Sequence, residues 1–395
     1  MTIFQFPTFA DQLHDDLLMK RTTDSDYTGL GNDLEKGASV NEVPKTASMR
    51  VFLQPRWVSA IDHMRCARFR LLVLSLLLLP STVSLAQPYQ GPIIDAHGHL
   101  GASFNWEIMV EAMNRNNVTH RTVMARYYPG PDGSRDLPGS DEDALRLAER
   151  YPAKFFPLVG MQQPLLTGPH KWRSPDHEVE RLIEETERKL ASGRFFGVGE
   201  FIVRHWAYSR GSHAEQENPI YSTFMQRMSA IAARFDVPMV VHMEGYPALV
   251  DDFSKLLAEY PKARFVWAHN CGRSKALVMR GMLTRHPNLF CDLANMTNVG
   301  TTGYGIGWPR REEFTALIEQ GGVLFPDMKS LYEEFSDRFM LGMDVAHAPG
   351  NNPQIYSQRV NRFRQLLGQL QPETTRKLAE TNAIRIFKLG GTSTR

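Results

Sequence analysis

Between Pro92 and Leu389 short apolar runs alternate with longer amphipathic ones. The apolar runs lie at residues 93–97, 121–125, 155–160, 196–201, 238–243, 264–269, 288–293 and 339–344. Most are bounded by Pro, Gly or Asn, as strands covered on both faces should be. Between them, Val179, Leu182, Ile183, Thr186 and Leu190 recur at helical spacing after Ser174-Pro175, which reads as a capped helix start. Residues 218–235, 247–260 and 274–286 carry the same periodicity, and 372–389 reads as a terminal helix with Leu378, Ala379, Ile384 and Phe387 inward. Eight strands alternating with helices predict an α/β fold, a (β/α)8 TIM barrel. A doubly wound open sheet is the alternative, but no Gly-rich phosphate loop follows the first strand to favour it.

The pattern changes upstream. Residues 1–63 are polar with little periodicity, which predicts little stable structure and suggests an over-extended N-terminal stretch. Met64-Arg-Cys-Ala-Arg-Phe-Arg70, the apolar run Leu71 to Leu79 and Ser84-Leu85-Ala86 have the layout of a secretory signal peptide at 64–86. Translation from Met64 would put that signal at the N-terminus, with a membrane-anchored chain as the alternative. The run is short for a stable membrane span. Residues 87–395 then form the mature barrel, periplasmic or secreted.

Composition narrows the partners. With 42% hydrophobic and 22% charged residues the chain has material for a large core. A net charge of +2 gives no broad field for nucleic acid or an anionic membrane, so a small-molecule substrate is expected. Oligomeric state leaves no mark on the sequence. Cys66, Cys271 and Cys291 show neither zinc-ribbon spacing nor a disulfide framework; Cys271 reads as a packed thiol and Cys291 as core.

Barrel chemistry sits at the C-terminal ends of the strands. The first predicted strand runs into Asp95-Ala-His97-Gly-His99, where two imidazoles one residue apart share a face and Gly98 leaves room between them. The fourth ends in Glu200, the fifth in His242, the sixth in His269 and the eighth in Asp344. Singly, each has an ordinary reading as a hydrogen-bonded strand end or helix cap. Together, four imidazoles and two carboxylates at matching strand ends form a donor set for zinc or a neighbouring metal.

This order, His-x-His, Glu, His, His, Asp, resembles the amidohydrolase superfamily of metal-dependent hydrolases, in its amidohydrolase-related (type 2) branch. Leu378-Ala-Glu-Thr-Asn382-Ala-Ile-Arg-Ile-Phe387 also resembles that branch's closing helix. The resemblance implies that His97, His99 and Asp344 hold one metal and His242 and His269 a second. Glu200 stands where many members carry a bridging carbamylated lysine, so the bridge would be a carboxylate. The implied cofactor is two divalent metals, zinc first, with manganese or iron as alternatives.

The implied reaction is hydrolysis of an amide, ester or lactone-type bond in a small molecule by a metal-activated water, with Asp344 as general base. His242 or His269 is an alternative stabiliser of the tetrahedral state. Arg126, after the second strand, is placed to hold an anionic group or to form a structural ion pair. His205, five residues past Glu200, is placed as a substrate binder or alternative ligand, and His347 near Asp344 has a similar standing. The Gly-rich stretch 298–308 reads as a cover over the site or an ordinary excursion. Rival functions are a mononuclear decarboxylase or other lyase on the same scaffold, a TatD-like phosphodiesterase, which the absence of a basic stripe disfavours, and a non-catalytic binding protein.

Overall fold

The computed structural model describes residues 86–101, 105–128, 137–206, 215–297, 317–318, 321–345 and 353–390. The expected stretch 1–63, the expected signal peptide up to Leu85, the 298–308 loop and His347 lie outside them. The barrel strands are β1 (Ile93–Asp95), β2 (Val118–Arg126), β3 (Phe155–Gln162), β4 (Val198–His205), β5 (Pro238–Met243), β6 (Arg264–Trp267), β7 (Leu289–Asp292) and β8 (Phe339–Met340), with short strands at His99–Leu100 and Gln216–Glu217 pairing with β2 and β4. After each barrel strand comes a helix: α1 (Trp106–Arg115), α2 (Asp141–Arg150), α3 (His177–Ala191), α4 (Thr223–Phe235), α5 (Pro247–Glu259), α6 (Ala276–Arg285), α7 (Pro326–Glu334) and α8 (Pro353–Leu367). Successive strands pair in parallel from β1 to β8. The seam closes where Ala96 N–H donates to Leu341 O at 2.9 Å and Asp344 N–H to His97 O at 2.9 Å. A parallel bridge joins Gly98 to Val345. The fold is a (β/α)8 barrel.

Strand parity explains how this sequence fills it. Successive side chains on a strand face opposite ways. Ile93, Val123, Val159, Met239, Val241, Phe265, Trp267, Leu289 and Phe339 belong to one core cluster with residues of the helix ring. Their neighbours Ile94, Met124, Leu158, Val240, Val266, Phe290 and Met340 form a second cluster inside the barrel. Ala383, Ile386, Phe387 and Leu389 join that inner cluster from the C-terminal end of the chain. Each fully buried side chain of this size contributes roughly 1.5–3 kcal/mol by leaving water. One layer beyond this floor the inward positions turn polar: Arg126 is two residues past Met124, His242 two past Val240, and Asp292 two past Phe290.

Several boundaries differ from the sequence reading. Helix α3 starts two residues later than Ser174-Pro175 suggests, because Asp176 is its cap and accepts from the backbone N–H groups of Glu178 and Val179. Ser174 instead ends the short helix Pro169–Arg173, donating its N–H to His170 O at 2.8 Å. Helix α4 starts at Thr223 behind the Ser222 cap, since Asn218 turns its amide to Ile202 O at 2.8 Å. The terminal helix is interrupted by the π-turn Lys377–Thr381.

Candidate metal centre

The six residues expected at strand ends meet at one end of the barrel. His97 Nε2 and His99 Nε2 are 3.2 Å apart. Asp344 Oδ1 lies 3.4 Å from His99 Nε2 and 3.8 Å from His97 Nε2. Across the barrel, His269 Nε2 and His242 Nδ1 are 3.0 Å apart. Glu200 stands between the two sets. Its Oε2 lies 3.3 Å from His99 Nε2, while its Oε1 lies 3.1 Å from His242 Nδ1 and 3.5 Å from His269 Nε2. Donor atoms of His97, His99 and Asp344 lie within 4.8 Å of one another, as do those of Glu200, His242 and His269. The carboxylate thus turns one oxygen to each group.

The donor set fits a cation on chemical grounds. His269 Nδ1 faces the carbonyl of Ala294 at 2.9 Å, and a carbonyl only accepts, so Nδ1 carries the proton and Nε2 is the lone-pair nitrogen. His97 Nδ1 likewise donates to Asp292 Oδ2 at 2.9 Å, and His242 Nε2 to Glu244 Oε1 at 3.2 Å. Neutral imidazoles held this way aim lone pairs at each other and at two carboxylates, an arrangement that positive charge must complete. Without an ion, protons take that role. Burial works to lower the His242 pKa, but Glu200 and Glu244 outweigh it and push it up to about 9. Burial also opposes His97, whose pKa rises well above the usual value under Asp292 and Glu200. The carboxyl of Glu200, despite burial, is held well below its usual range by His97 and His242. Asp344 is shifted down as well, by His99, His97 and His269 against its burial.

Local backbone features place these six side chains. Strand β6 stops at Trp267, and His269, Asn270, Cys271 and Gly272 follow in left-handed conformation with φ of 57, 54, 51 and 68°. Non-glycine residues there cost roughly 1–2 kcal/mol each. A Cβ on Gly272 would overlap Met243 O, so only glycine fits that point of the turn. This turn, not the strand itself, delivers His269. Asp344 too is left-handed, with φ of 49°, past the short β8. Its side chain is 18% exposed, whereas the other five are 6% or less, which puts Asp344 at the open side of the centre. Gly98 makes room for Arg121, whose guanidinium a Cβ there would overlap.

Cys271 is not a packed free thiol and Cys291 is not simply a core thiol. Cys271 and Cys291 form a disulfide. Trp267 pairs with Cys291 across β6 and β7, and the left-handed turn folds Cys271 back over that position. Sequence spacing carries no trace of such a turn.

Residues 94–389 match the Amidohydro_2 family, described as amidohydrolase. The chain belongs to this family. Among solved structures, an uncharacterized TIM-barrel protein from Bordetella bronchiseptica is similar at 15% identity and TM-score 0.49, covering 75% of this chain and 99% of that one. A zinc-bound amidohydrolase from Burkholderia multivorans is similar at 14% identity and TM-score 0.45, covering 76% and 100%. A 2,6-dihydroxybenzoate decarboxylase bound to 2,6-dihydroxybenzoate is similar at 12% identity and TM-score 0.46, covering 76% and 100%. A comparison with curated proteins finds no match.

Around the six candidate donors, this amidohydrolase-family chain carries supporting residues that were not expected from the sequence. Asp292 and Glu244 orient His97 and His242. Asp292 was findable, since it is the inward position two past Phe290. Gln162, at the end of β3, donates its amide to Glu200 Oε2 at 2.8 Å and accepts from the Tyr128 hydroxyl at 2.9 Å. Arg126 is buried at the end of β2, its guanidinium 5.3 Å from the Tyr128 ring centre. The His205 ring ends β4 and lies 5.1 Å from that of His242.

Proposed function

We propose that this protein is an exported metal-dependent hydrolase that cleaves an amide, ester or lactone-type bond in a small molecule. The observation that carries the reading is Glu200, whose two oxygens face two separate ligand groups as a bridging carboxylate would. His97, His99 and Asp344 would hold one divalent metal and His242 and His269 the other. Zinc is the first choice for this nitrogen-rich set, with manganese or iron as alternatives. A bound divalent metal would supply a Lewis acid that polarises a carbonyl oxygen and makes a water acidic near neutral pH.

The chain's own residues would do the rest. Asp344, ionised and on the open side, takes a proton from the attacking water on its carboxylate and returns it to the leaving nitrogen or oxygen. Asp292 and Glu244 keep the ligating imidazoles in their neutral, correctly turned tautomers. Arg126, at the end of β2, and His205, at the end of β4, would serve as substrate contacts. A second reading rests on the same geometry: His97, His99 and Asp344 form a three-ligand group without Glu200, which is what a one-metal lyase would need.

Assay of the metal-replete protein in ¹⁸O-labelled water separates the two. With panels of esters, lactones, amides and aromatic carboxylic acids, hydrolysis places one labelled oxygen in the product acid, whereas a decarboxylating lyase releases carbon dioxide. Export is supported by the signal-like Met64–Ala86 segment and by a disulfide that suits an oxidising compartment. N-terminal sequencing of the naturally exported protein should begin at Gln87; a retained Met1 would contradict this.

A further inference from the structure

The Cys271–Cys291 disulfide joins two segments that each carry part of the metal centre. Cys271 lies two residues after His269 in the middle of the left-handed turn, and Cys291 immediately precedes Asp292 on β7. Both cysteines are fully buried. The turn needs fastening, because residues 269–273 all have positive φ and four of the five are not glycine. Its other ties include His269 N–H to Asp292 Oδ1 at 3.0 Å, His269 Nδ1–H to Ala294 O at 2.9 Å, Tyr332 hydroxyl to Asn270 Oδ1 at 3.0 Å, Ser274 hydroxyl to Cys271 O at 2.7 Å, Gly245 N–H to Gly272 O at 2.9 Å and the Arg273–Glu244 ion pair. A covalent bond at Cys271 would oppose relaxation of the turn toward ordinary backbone, and such relaxation would move His269 relative to Glu200 and His242.

We propose that this disulfide is a positioning device for the second half of the centre. It holds His269 so that Glu200, His242 and His269 bind their metal tightly only in the oxidised chain. The His97, His99 and Asp344 group is expected not to depend on it, since Asp292, which holds His97, lies in the β7–β8 pairing in register with Met340 and not in the turn. A chain folded in a reducing compartment would therefore carry one tightly bound metal. The inference rests on the two-metal reading above, and the test is arranged so that the two can fail separately.

The test uses the full chain and a Cys271→Ala/Cys291→Val variant, which keeps an apolar filling without the bond. Zinc affinity is measured by competition with a chromophoric chelator, and amide hydrogen exchange on the metal-free proteins. The expected result is one zinc bound as tightly as in the wild type and a second weakened by about 10- to 100-fold, the range seen when a ligand's supporting contacts are removed. Exchange should quicken across 268–273 and stay unchanged in β2 and β3. Two equally tight zincs with unchanged protection at 268–273 would overturn the proposal. So would a uniform loss of protection, which marks a disulfide that only stabilises the fold. If the wild type binds fewer than two zincs, the two-metal reading fails, and exchange at 268–273 alone decides whether the bond positions the turn. Should the variant not fold, the wild type is reduced with a water-soluble phosphine, which becomes its oxide as the S–S bond becomes two thiols, and the same measurements apply.

Discussion

His97 donates its Nδ1–H to Asp292 at 2.9 Å, and the other oxygen of Asp292 accepts the backbone N–H of His269 at 3.0 Å. One carboxylate on β7 therefore orients a ligand from each half of the centre. Replacing it with Asn keeps the shape but removes the charge that fixes the His97 tautomer. Asp292→Asn should weaken metal binding by about 10- to 100-fold with little change in circular dichroism. Competition titration against a chelator checks this, and unchanged affinity would remove Asp292 from the centre.

The metal-free centre holds protons that a metal must displace. His242, with its pKa pushed up to about 9 against the effect of burial, is protonated at pH 7 and must lose that proton to offer Nδ1. Metal affinity should therefore climb as pH rises from 7 toward 9. Calorimetry in two buffers of different ionisation enthalpy should show proton release at pH 7 that shrinks near pH 9. A release that is absent at pH 7 would contradict the assignment of His242.

The Tyr128–Gln162–Glu200 chain makes a stability prediction. Glu200 Oε2 can only accept here, so the Gln162 amide must turn its NH2 to it and its oxygen to the Tyr128 hydroxyl. Gln162→Leu takes the acceptor from the Tyr128 hydroxyl and one donor from Glu200 Oε2 and should cost about 1–3 kcal/mol, while Tyr128→Phe should cost less. Denaturant melts of the metal-free proteins give both numbers; equal effects would mean that the chain is not connected in this way.

Beneath the centre, Arg121 Nε lies 3.5 Å from Asp95 Oδ2, both fully buried, and Asp95 Oδ1 accepts the Met343 N–H at 2.8 Å. Burial raises the Asp95 pKa despite Arg121 and these hydrogen bonds. A raised folded-state pKa means that the ionised form costs stability at neutral pH and that the cost eases as pH falls. Arg121→Met should therefore destabilise by about 3–5 kcal/mol at pH 7 and by less at pH 5. Chemical denaturation at the two values checks the sign; equal losses would contradict it.

The barrel was legible because its signal is local. Short apolar runs bounded by Pro, Gly or Asn, such as 238–243, mark strands covered on both faces, and the candidate site residues follow as the strand ends. His242 was found by that rule, and Asp292 could have been. The delivery of His269 was not legible, since a run of left-handed residues depends on Gly272 meeting Met243 O and on Cys271 meeting Cys291, contacts between segments distant in sequence. The same holds for Gln162 and Glu244, ordinary polar residues until Glu200 and His242 stand beside them.

Glu200 faces both donor groups and would be shared by two metals if both were bound. Elemental analysis of the metal-replete protein should give close to two equivalents per chain, and Glu200→Ala should bring this to one or fewer. A single equivalent that the substitution leaves unchanged would contradict the bridge and leave only the group of His97, His99 and Asp344.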